Sequence, residues 1–197
     1  MSDTRPEVIV TCLKKRLSGV TSTISALLPV QAAHLRLGYT GADIPGLAQA
    51  YSASKSFTRM TLWQAIAASR KHLSDGRKII WHVRRDHEML LAIVLRDVLL
   101  LPIHLCFTSS ASRRHSWFPR WLISRMDVVI ANVDGAAAFV PNTTRVVLLG
   151  VDTQRFTPPA SKLEAWQETG LPGRYGIGIF GRVRHHQHGV HACRREH

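Results

Sequence analysis

Tyr175-Gly-Ile-Gly-Ile-Phe-Gly-Arg-Val-Arg-His185 is the stretch that points most directly to a fold class. Its apolar run, 177–180, predicts a buried strand, and Gly181-Arg182 follows at once. Glycine permits a tight turn after a strand, and arginine can bind phosphate through two parallel hydrogen bonds. This arrangement is typical of the start of a nucleotide-binding domain. Because only twelve residues follow His185, we expect the chain to open a second domain without completing it.

Upstream of this stretch, short apolar runs alternate with segments of helical length. Strands are predicted at 8–12, 78–83, 103–107, 127–131 and 145–149. Helical periods occupy several intervening segments, and Asp86 is predicted to cap the helix that ends before Pro102. Segment 38–56 shows no clear period and is predicted to be mostly loop. The alternation indicates an α/β fold, a Rossmann-like parallel sheet with helices on both faces.

The domain organisation follows from these segments. Residues 1–152 are predicted to form an N-terminal Rossmann-like domain, and 153–174, which contain two adjacent prolines, an interdomain linker with one helix. Residues 175–185 would supply the first strand and phosphate loop of a second domain. The His-, Arg- and Cys-rich residues 186–197 resemble nothing upstream and are predicted to be an aberrant, disordered tail.

The formal charge of +13 over 197 residues is the most unusual feature of the composition. A basic surface attracts polyanions such as nucleic acid, anionic lipid headgroups and phosphorylated small molecules. A basic chain without a specific partner is the alternative that composition leaves open. Aromatic and basic residues do not alternate as in a known nucleic-acid-binding module, so nucleic acid is not an expected partner.

Cysteine usage and hydropathy indicate the compartment. Three widely spaced cysteines without a CxxC pair favour a reducing cytosol. The N-terminus carries no signal-peptide core, and the apolar segment 89–107 is interrupted by Arg96, Asp97 and Pro102. We therefore expect a cytoplasmic protein that can lie on a membrane surface.

Candidate binding residues follow the predicted strands, because ligands of open parallel sheets bind beyond the carboxyl ends of the strands. Nearly all of them are basic or hydroxylated, which favours an anionic ligand over a merely solvated surface. They are Lys14, Lys15, Arg16 and Gly19 after the first predicted strand; His82, Arg84, Arg85 and His87 at the second; Thr108, Ser109, Ser110, Arg113, Arg114 and His115 after the third; and Gly181, Arg182 and Arg184 after the last.

His82 is the candidate general base, with a satisfied structural histidine as the alternative. No pair of carboxylates stands at comparable strand ends, which argues against carboxylate acid–base hydrolysis. No Walker loop or GxGxxG run follows a strand, which argues against kinase and Rossmann dehydrogenase sites. The histidines of the tail lack the helical or hairpin context of a zinc site, so no metal is expected.

Taken together, these segments resemble the retaining glycosyltransferases of the GT-B fold, family 4 (group 1), and most closely the lipopolysaccharide core mannosyltransferases of alphaproteobacteria. The Gly150-Val-Asp152 motif with Phe156 is moderately specific, and the ordered set of segments is strong. The segments that carry the resemblance are Lys14-Lys-Arg-Leu-Ser-Gly-Val-Thr-Ser-Thr23, Trp81-His-Val-Arg-Arg85, Phe107-Thr-Ser-Ser-Ala-Ser-Arg-Arg-His115, Trp121-Leu-Ile-Ser-Arg-Met-Asp127, Gly150-Val-Asp152 with Arg155-Phe156, and 171–185.

The resemblance implies two Rossmann-like domains facing a cleft, with the acceptor on the first and most of the nucleotide sugar on the second. It implies that Gly19 and Gly181 bind the donor and that Arg182 grips the leaving phosphate and stabilises its charge. That phosphate would take the acceptor proton, without a metal or other cofactor. The acceptor-binding candidates are Lys15, Arg16, Arg84, Thr108, Ser109, Arg113 and His115.

Two departures from the family pattern bear on activity. Many members have a histidine after the third predicted strand, where this chain has Thr108 beside Ser109. The family also continues its Gly-Arg loop with a lysine and a glycine and then with a whole domain, whereas this sequence runs His185-His-Gln-His-Gly189 and ends at His197. We expect a truncated chain with little or no transferase activity.

The function implied by the resemblance is transfer of mannose from GDP-mannose to a lipid-anchored acceptor of the lipopolysaccharide core. The basic surface fits an acceptor held at an anionic membrane face. The alternative is a non-catalytic module that binds the acceptor or the membrane surface.

Overall fold

The strands form one parallel sheet. The computed structural model of the protein describes residues 3–14, 18–110, 113–140, 142–153, 156–173 and 176. Within these residues the sheet has seven strands in the order β3-β2-β1-β4-β5-β6-β7. The strands are β1 (Val8–Cys12), β2 (Leu37–Gly41), β3 (Thr58–Met60), β4 (Ile79–Val83), β5 (Ile103–Ser109), β6 (Val128–Ala131) and β7 (Arg145–Val146). The predicted α/β class with a Rossmann-like parallel sheet is confirmed.

Helices connect successive strands. A π-helical turn, Val94–Val98, extends one of them beyond its α-helical part. The helices are α1 (Gly19–His34), α2 (Gly46–Ala53), α3 (Leu62–Ala68), α4 (Asp86–Ile93), α5 (Trp117–Ser124), α6 (Asp134–Ala137) and α7 (Lys162–Glu168). Asp86 does not cap α4 as predicted. It lies in the first helical turn, and the N-cap position is taken by Arg85, whose side chain makes no capping bond.

Apolar side chains pack on both faces of the sheet. Along β1, Ile9 belongs to one buried cluster and Val10 to another, as expected when successive strand residues point to opposite faces. The first cluster includes Trp81 and Leu122, and the second includes Leu28. The sheet is therefore covered by helices on both sides.

The predicted loop at 38–56 is wrong, because this segment contains β2 and α2. The sequence of β2 is Leu-Gly-Tyr-Thr-Gly. Its glycines and threonine interrupt the apolar run that would predict a strand, although four of its five residues are buried. Small residues are required there. At Gly41, φ is 143°, and a Cβ would collide with the carbonyl group of Cys12. The predicted strand at 145–149 is also too long, since β7 comprises only Arg145 and Val146.

The chain divides into two compact units, Met1–Asp152 and Thr153–His197. In the described part of the second unit, Ser161 caps α7 by accepting a hydrogen bond of 3.3 Å from the amide of Glu164. The indole Nε1 of Trp166 donates to the carbonyl oxygen of Gly173 at 2.6 Å. The predicted strand at 177–180 and the tail from 186 lie outside the described residues, and the four-part domain scheme stays a prediction.

Candidate functional site

A cleft of about 590 Å³ lies at the carboxyl edge of the sheet. It is close to the junction of β1 and β4, where the strand order reverses, and open α/β sheets bind ligands at such a junction. Loops after β1, β4 and β5 supply its walls. The lining residues are Ser18, Gly19, Val20, Thr23, Arg84, Asp86, Phe107, Thr108, Ser109, Ser110, His115 and Leu149.

The carboxylate of Glu88 fixes the ends of β1 and β4 beside this cleft. Its side chain is 1% exposed. It accepts hydrogen bonds of 3.0 Å each from Thr11 Oγ1, the amide of Leu13 and the amide of Arg84. A carboxylate that receives three donors can remain buried, because those bonds replace its hydration. Glu88 thereby holds the backbone at the start of Arg84 in a defined position.

Arg84 brings a buried positive charge to the cleft. The residue is 9% exposed, and burial lowers the pKa of its guanidinium below the usual value. Its Nε is buried without a hydrogen-bond partner. Among the described residues no carboxylate forms an ion pair with this guanidinium. A buried cation without a counterion is costly, so the site favours an anion.

Arg85 places a second guanidinium at the N-terminal turn of α1. One nitrogen, NH2, donates to Ser18 Oγ at 2.8 Å and to Thr21 Oγ1 at 3.1 Å, while NH1 is buried without a partner. The free amides at a helix N-terminus already carry partial positive charge. Cations from two directions therefore converge on the start of α1, and Asp86 is the carboxylate that lines the same cleft.

His82 lies beneath the cleft rather than in its lining. It is 7% exposed, and its Nε2 is 2.7 Å from Oγ1 of Thr108, which does line the cleft. Burial, with a smaller contribution from the charge of Arg84, lowers the pKa of His82 to about 3. The imidazole is therefore neutral near pH 7 and can orient the hydroxyl of Thr108. Its assignment as a general base stays a prediction.

The structure brings together six of the predicted candidates: Gly19, Arg84, Thr108, Ser109, Ser110 and His115. Arg113 is exposed and does not line the cleft. Lys15, Arg16, Gly181 and Arg182 lie outside the described residues, and their roles stay predictions. Sequence reasoning missed Ser18, although a serine directly before a helical segment is a common N-cap signal. It also missed the role of Glu88, whose three bonds depend on the meeting of β1 and β4.

A second cavity, of about 650 Å³, lies at the ends of β2 and β3. Thr40, Gly41, Tyr51 and Arg59 are among the residues that line it. Arg59 is already paired with Asp43, with 2.6 Å between NH1 and Oδ1. This cavity therefore lacks the unpaired charge that distinguishes the cleft at β1 and β4.

The described residues contain no group of three or more histidine, cysteine, aspartate or glutamate side chains arranged to hold a metal ion. Cys12 and Cys106 are buried free thiols, and burial raises the pKa of Cys106 to about 11. The Cys106 thiol therefore stays protonated near neutral pH.

Comparison with curated proteins identifies the relatives of this chain. LpcC of Rhizobium leguminosarum bv. viciae, a lipopolysaccharide core biosynthesis mannosyltransferase, is 42% identical over 180 residues, which cover 91% of this chain and 48% of LpcC. LpsB of Rhizobium meliloti (strain 1021), with the same description, is 45% identical over 184 residues, which cover 91% of this chain and 49% of LpsB. The chain is a homologue of the lipopolysaccharide core mannosyltransferases. It spans about half the length of these relatives.

Solved structures agree on the fold of this homologue. Alr3699/HepE of Anabaena, crystallised with UDP and glucose, superposes with a TM-score of 0.56 at 11% identity, covering 84% of this chain and 50% of that chain. Its UDP-glucose complex gives 0.55 at 12% identity, with the same coverage. The sheet therefore has the fold found in half of the HepE chain, in keeping with the predicted GT-B fold. No protein-family model matches the chain.

In the part of the chain that the structure describes, no helix combines the length and apolar character needed to cross a bilayer.

Proposed function

We propose that the chain serves mannose transfer in the assembly of the lipopolysaccharide core, as part of a retaining glycosyltransferase. The observation that carries this proposal is 42–45% identity to two core mannosyltransferases along 91% of the chain. The cleft supports it, because Gly19, Arg84, Thr108 and His115 surround a space of about 590 Å³ at the edge of the sheet where α/β enzymes bind ligands.

The donor that we propose is a nucleotide sugar, and specifically GDP-mannose. The solved neighbours hold UDP or UDP-glucose, which supports the class of donor. The mannosyltransferase names of LpcC and LpsB support the sugar. In this proposal Gly19 and Gly181 approach the diphosphate, and Arg182 stabilises charge on the leaving phosphate, which takes the acceptor proton.

The acceptor that we propose is a lipid-anchored saccharide of the lipopolysaccharide core, bound in the cleft. Arg84, Thr108, Ser109 and His115 are the described candidates that contact it. Arg113 lies between Ser109 and His115 in the sequence, and Lys15 and Arg16 follow the first strand. The hydroxyls can bond sugar hydroxyls, while the cations suit an acceptor that carries negative charge.

Binding and turnover should be measured separately on the 197-residue chain. Labelled GDP-mannose and labelled UDP-glucose are each incubated with a mannose-deficient core acceptor, and acceptor binding is measured by calorimetry. We expect acceptor binding with little turnover, and any transferred sugar to come from GDP-mannose. Preference for UDP-glucose would refute the donor, and absence of both acceptor binding and transfer would refute the proposed function.

A specific surface favours peripheral contact with an anionic membrane. We define the α5 face as Trp117, Phe118 and Trp121 with the arginines at 113, 114 and 120. The three rings are 78%, 37% and 45% exposed. Their centroids are 5.6 Å apart for the first pair and 6.2 Å apart for the second. Clustered rings beside arginines match the headgroup layer of an anionic bilayer, where aromatic side chains and cations are both favourable.

The α5 face adjoins the cleft along the chain, since His115 lies in the cleft lining two residues before α5 begins. Co-sedimentation with vesicles of phosphatidylcholine, with and without phosphatidylglycerol, tests this contact. We expect binding only to the anionic vesicles, and at least a fivefold loss for Trp117→Ser/Trp121→Ser. Trp63→Ser is the control, because Trp63 is also 78% exposed but lies on α3. Equal losses in both variants, or no binding to anionic vesicles, would contradict membrane contact through the α5 face. Either result would also count against the non-catalytic membrane-binding module.

A further inference from the structure

Arg84 differs from the other arginines of the described residues in its environment. It is the arginine that is buried there, yet it lacks a carboxylate. Six others have one within 4 Å, and their side chains are more exposed: Arg5, Arg36, Arg59, Arg77, Arg96 and Arg125. Within the part of the chain that the structure describes, this buried guanidinium has no carboxylate within 4 Å, although a buried cation gains most from one.

The two acidic residues nearest to Arg84 in sequence form no ion pair with its guanidinium. Glu88 directs its oxygens to Thr11 Oγ1, the Leu13 amide and the amide of Arg84, not to the guanidinium. Asp86 lines the cleft but forms no ion pair with Arg84. Burial lowers the pKa of Arg84, and the nearby charge of Glu88 offsets only part of that effect, so a bound anion would offset the remainder.

A second donor in the same cleft also lacks a partner. Nε2 of His115 is buried and makes no hydrogen bond. The start of α1 provides a third positive element, because Gly19 and Val20 line the cleft at the N-terminus of a 16-residue helix. An added Cβ at Gly19 would meet nothing within 4 Å, so the space beside it is open.

We propose that Arg84 and His115 form a subsite for one anionic group, a phosphate or a carboxylate, carried by the acceptor. A guanidinium binds either group through two parallel hydrogen bonds, and an imidazole adds a third donor. Neutral sugar hydroxyls need acceptor atoms as well as donors, which these two side chains supply poorly. Assignment of the group to the acceptor rests on the proposed function, whereas anion binding itself does not.

The first experiment uses inorganic phosphate and acetate as probes for the whole chain. Thermal unfolding and calorimetry are compared for the native chain, Arg84→Gln, His115→Gln and the control Arg70→Gln, which removes the same charge from an exposed position outside the cleft. We expect phosphate to raise Tm of the native chain and of the control. Arg84→Gln should weaken phosphate binding at least tenfold and His115→Gln at least threefold, since a buried site screens charge poorly.

Stability without ligand separates a binding role from a structural one. Because Arg84→Gln removes a buried, unpaired charge, Tm in buffer without phosphate should stay the same or rise. A fall in Tm of that variant, or equal loss of phosphate binding in Arg70→Gln, would overturn the subsite.

Competition identifies which substrate carries the anion. A core acceptor with an acidic sugar should displace phosphate from the chain, and GDP should not. Displacement by GDP alone would assign the subsite to the donor diphosphate and overturn the acceptor assignment. If phosphate binds but no mannose transfer is ever found, the subsite stands and the proposed function fails. If transfer is found but neither phosphate nor acetate binds, the proposed subsite is wrong and the proposed function stands.

Discussion

His82 on β4 and Thr108 on β5 share a hydrogen bond of 2.7 Å between Nε2 and Oγ1. The register explains the contact, since β4 and β5 are paired parallel strands and His82 lies beside Cys106, two residues before Thr108. The bond connects a buried imidazole to a hydroxyl in the cleft lining. A histidine in this position can orient the hydroxyl of Thr108 while remaining inaccessible to bulk water.

We predict that His82 makes the fold less stable in mild acid. Its pKa is lowered to about 3 in the folded protein from 6.5, so between these values the unfolded chain binds a proton that the folded chain does not. Stability therefore falls as pH falls below 6.5. At pH 5 the loss should be about 2 kcal/mol relative to pH 7.5, from about 1.4 kcal/mol per pH unit.

Urea unfolding of the native chain, His82→Gln and His34→Gln at both pH values checks this prediction. Gln keeps a hydrogen bond to Thr108 but does not titrate, so the loss attributed to His82 should disappear from that variant alone. His34 is exposed at the end of α1 and serves as the control. An unchanged pH dependence in His82→Gln would show that the imidazole is not the group responsible.

Glu88→Gln should destabilise the protein by about 2–4 kcal/mol. An amide has one acceptor oxygen, and its NH₂ group would face the donors that now bond to the second carboxylate oxygen, leaving at least one donor unsatisfied in the interior. The free energy of unfolding in urea measures the effect. Asp134→Asn, at an exposed site in the first turn of α6, should change it by less than about 0.5 kcal/mol. Equal effects would mean that the strand-end bonds contribute little.

The sequence was sufficient to predict the sheet wherever the strands are rich in large apolar residues. β1 and β4 were predicted within one residue of their observed bounds, because long apolar runs between polar segments have few alternatives. β2 was missed because its burial depends on glycines and a threonine that pack against neighbours far along the chain. Neither the strand propensity of these residues nor the hydrophobic period of the segment indicates such contacts.

The candidate site, like the sheet, could be predicted from the sequence only in part. Basic and hydroxylated residues that follow β1, β4 and β5 lie at one edge of the sheet, because parallel strands all end there. The sequence could not show that Arg84 is buried without a partner while Arg85 bonds to Ser18, since adjacent arginines look equivalent in a chain. Glu88 was not among the candidate residues. Its role in joining two strand ends appears once β1 and β4 are neighbours.

Gly46→Ala should cost about 3 kcal/mol or more of stability. A Cβ at this position would collide with the backbone of Ser25, whose Cα would lie 2.8 Å away, so α1 and α2 would have to move apart. Backbone cannot adjust as a flexible side chain can. Gly135→Ala is the control, because nothing lies within 4 Å of its added Cβ and its φ is not positive.

In that control, alanine should raise stability by about 0.5 kcal/mol through a less flexible unfolded chain. Urea unfolding of the two variants measures both values. A loss below about 1 kcal/mol in Gly46→Ala would mean that the two helices are not held as closely as the structure shows.

Ser69→Ala tests the polar contact in the first apolar cluster. Trp81 and Ser69 are both fully buried, and indole Nε1 donates to Ser69 Oγ at 2.9 Å while that hydroxyl donates to the carbonyl of Ala65 at 2.8 Å. Alanine leaves the indole N–H without an acceptor in an apolar interior, which should cost about 1–3 kcal/mol.

Ser52→Ala removes a hydroxyl that makes the same kind of helix bond, to Ala48 at 3.1 Å, from an exposed site. We expect that control to change stability by less than about 0.5 kcal/mol, because water replaces the lost bond and alanine favours helix. The indole resonance of Trp81 in an ¹H–¹⁵N spectrum should shift only in Ser69→Ala. If it does not, the hydrogen bond is absent in solution.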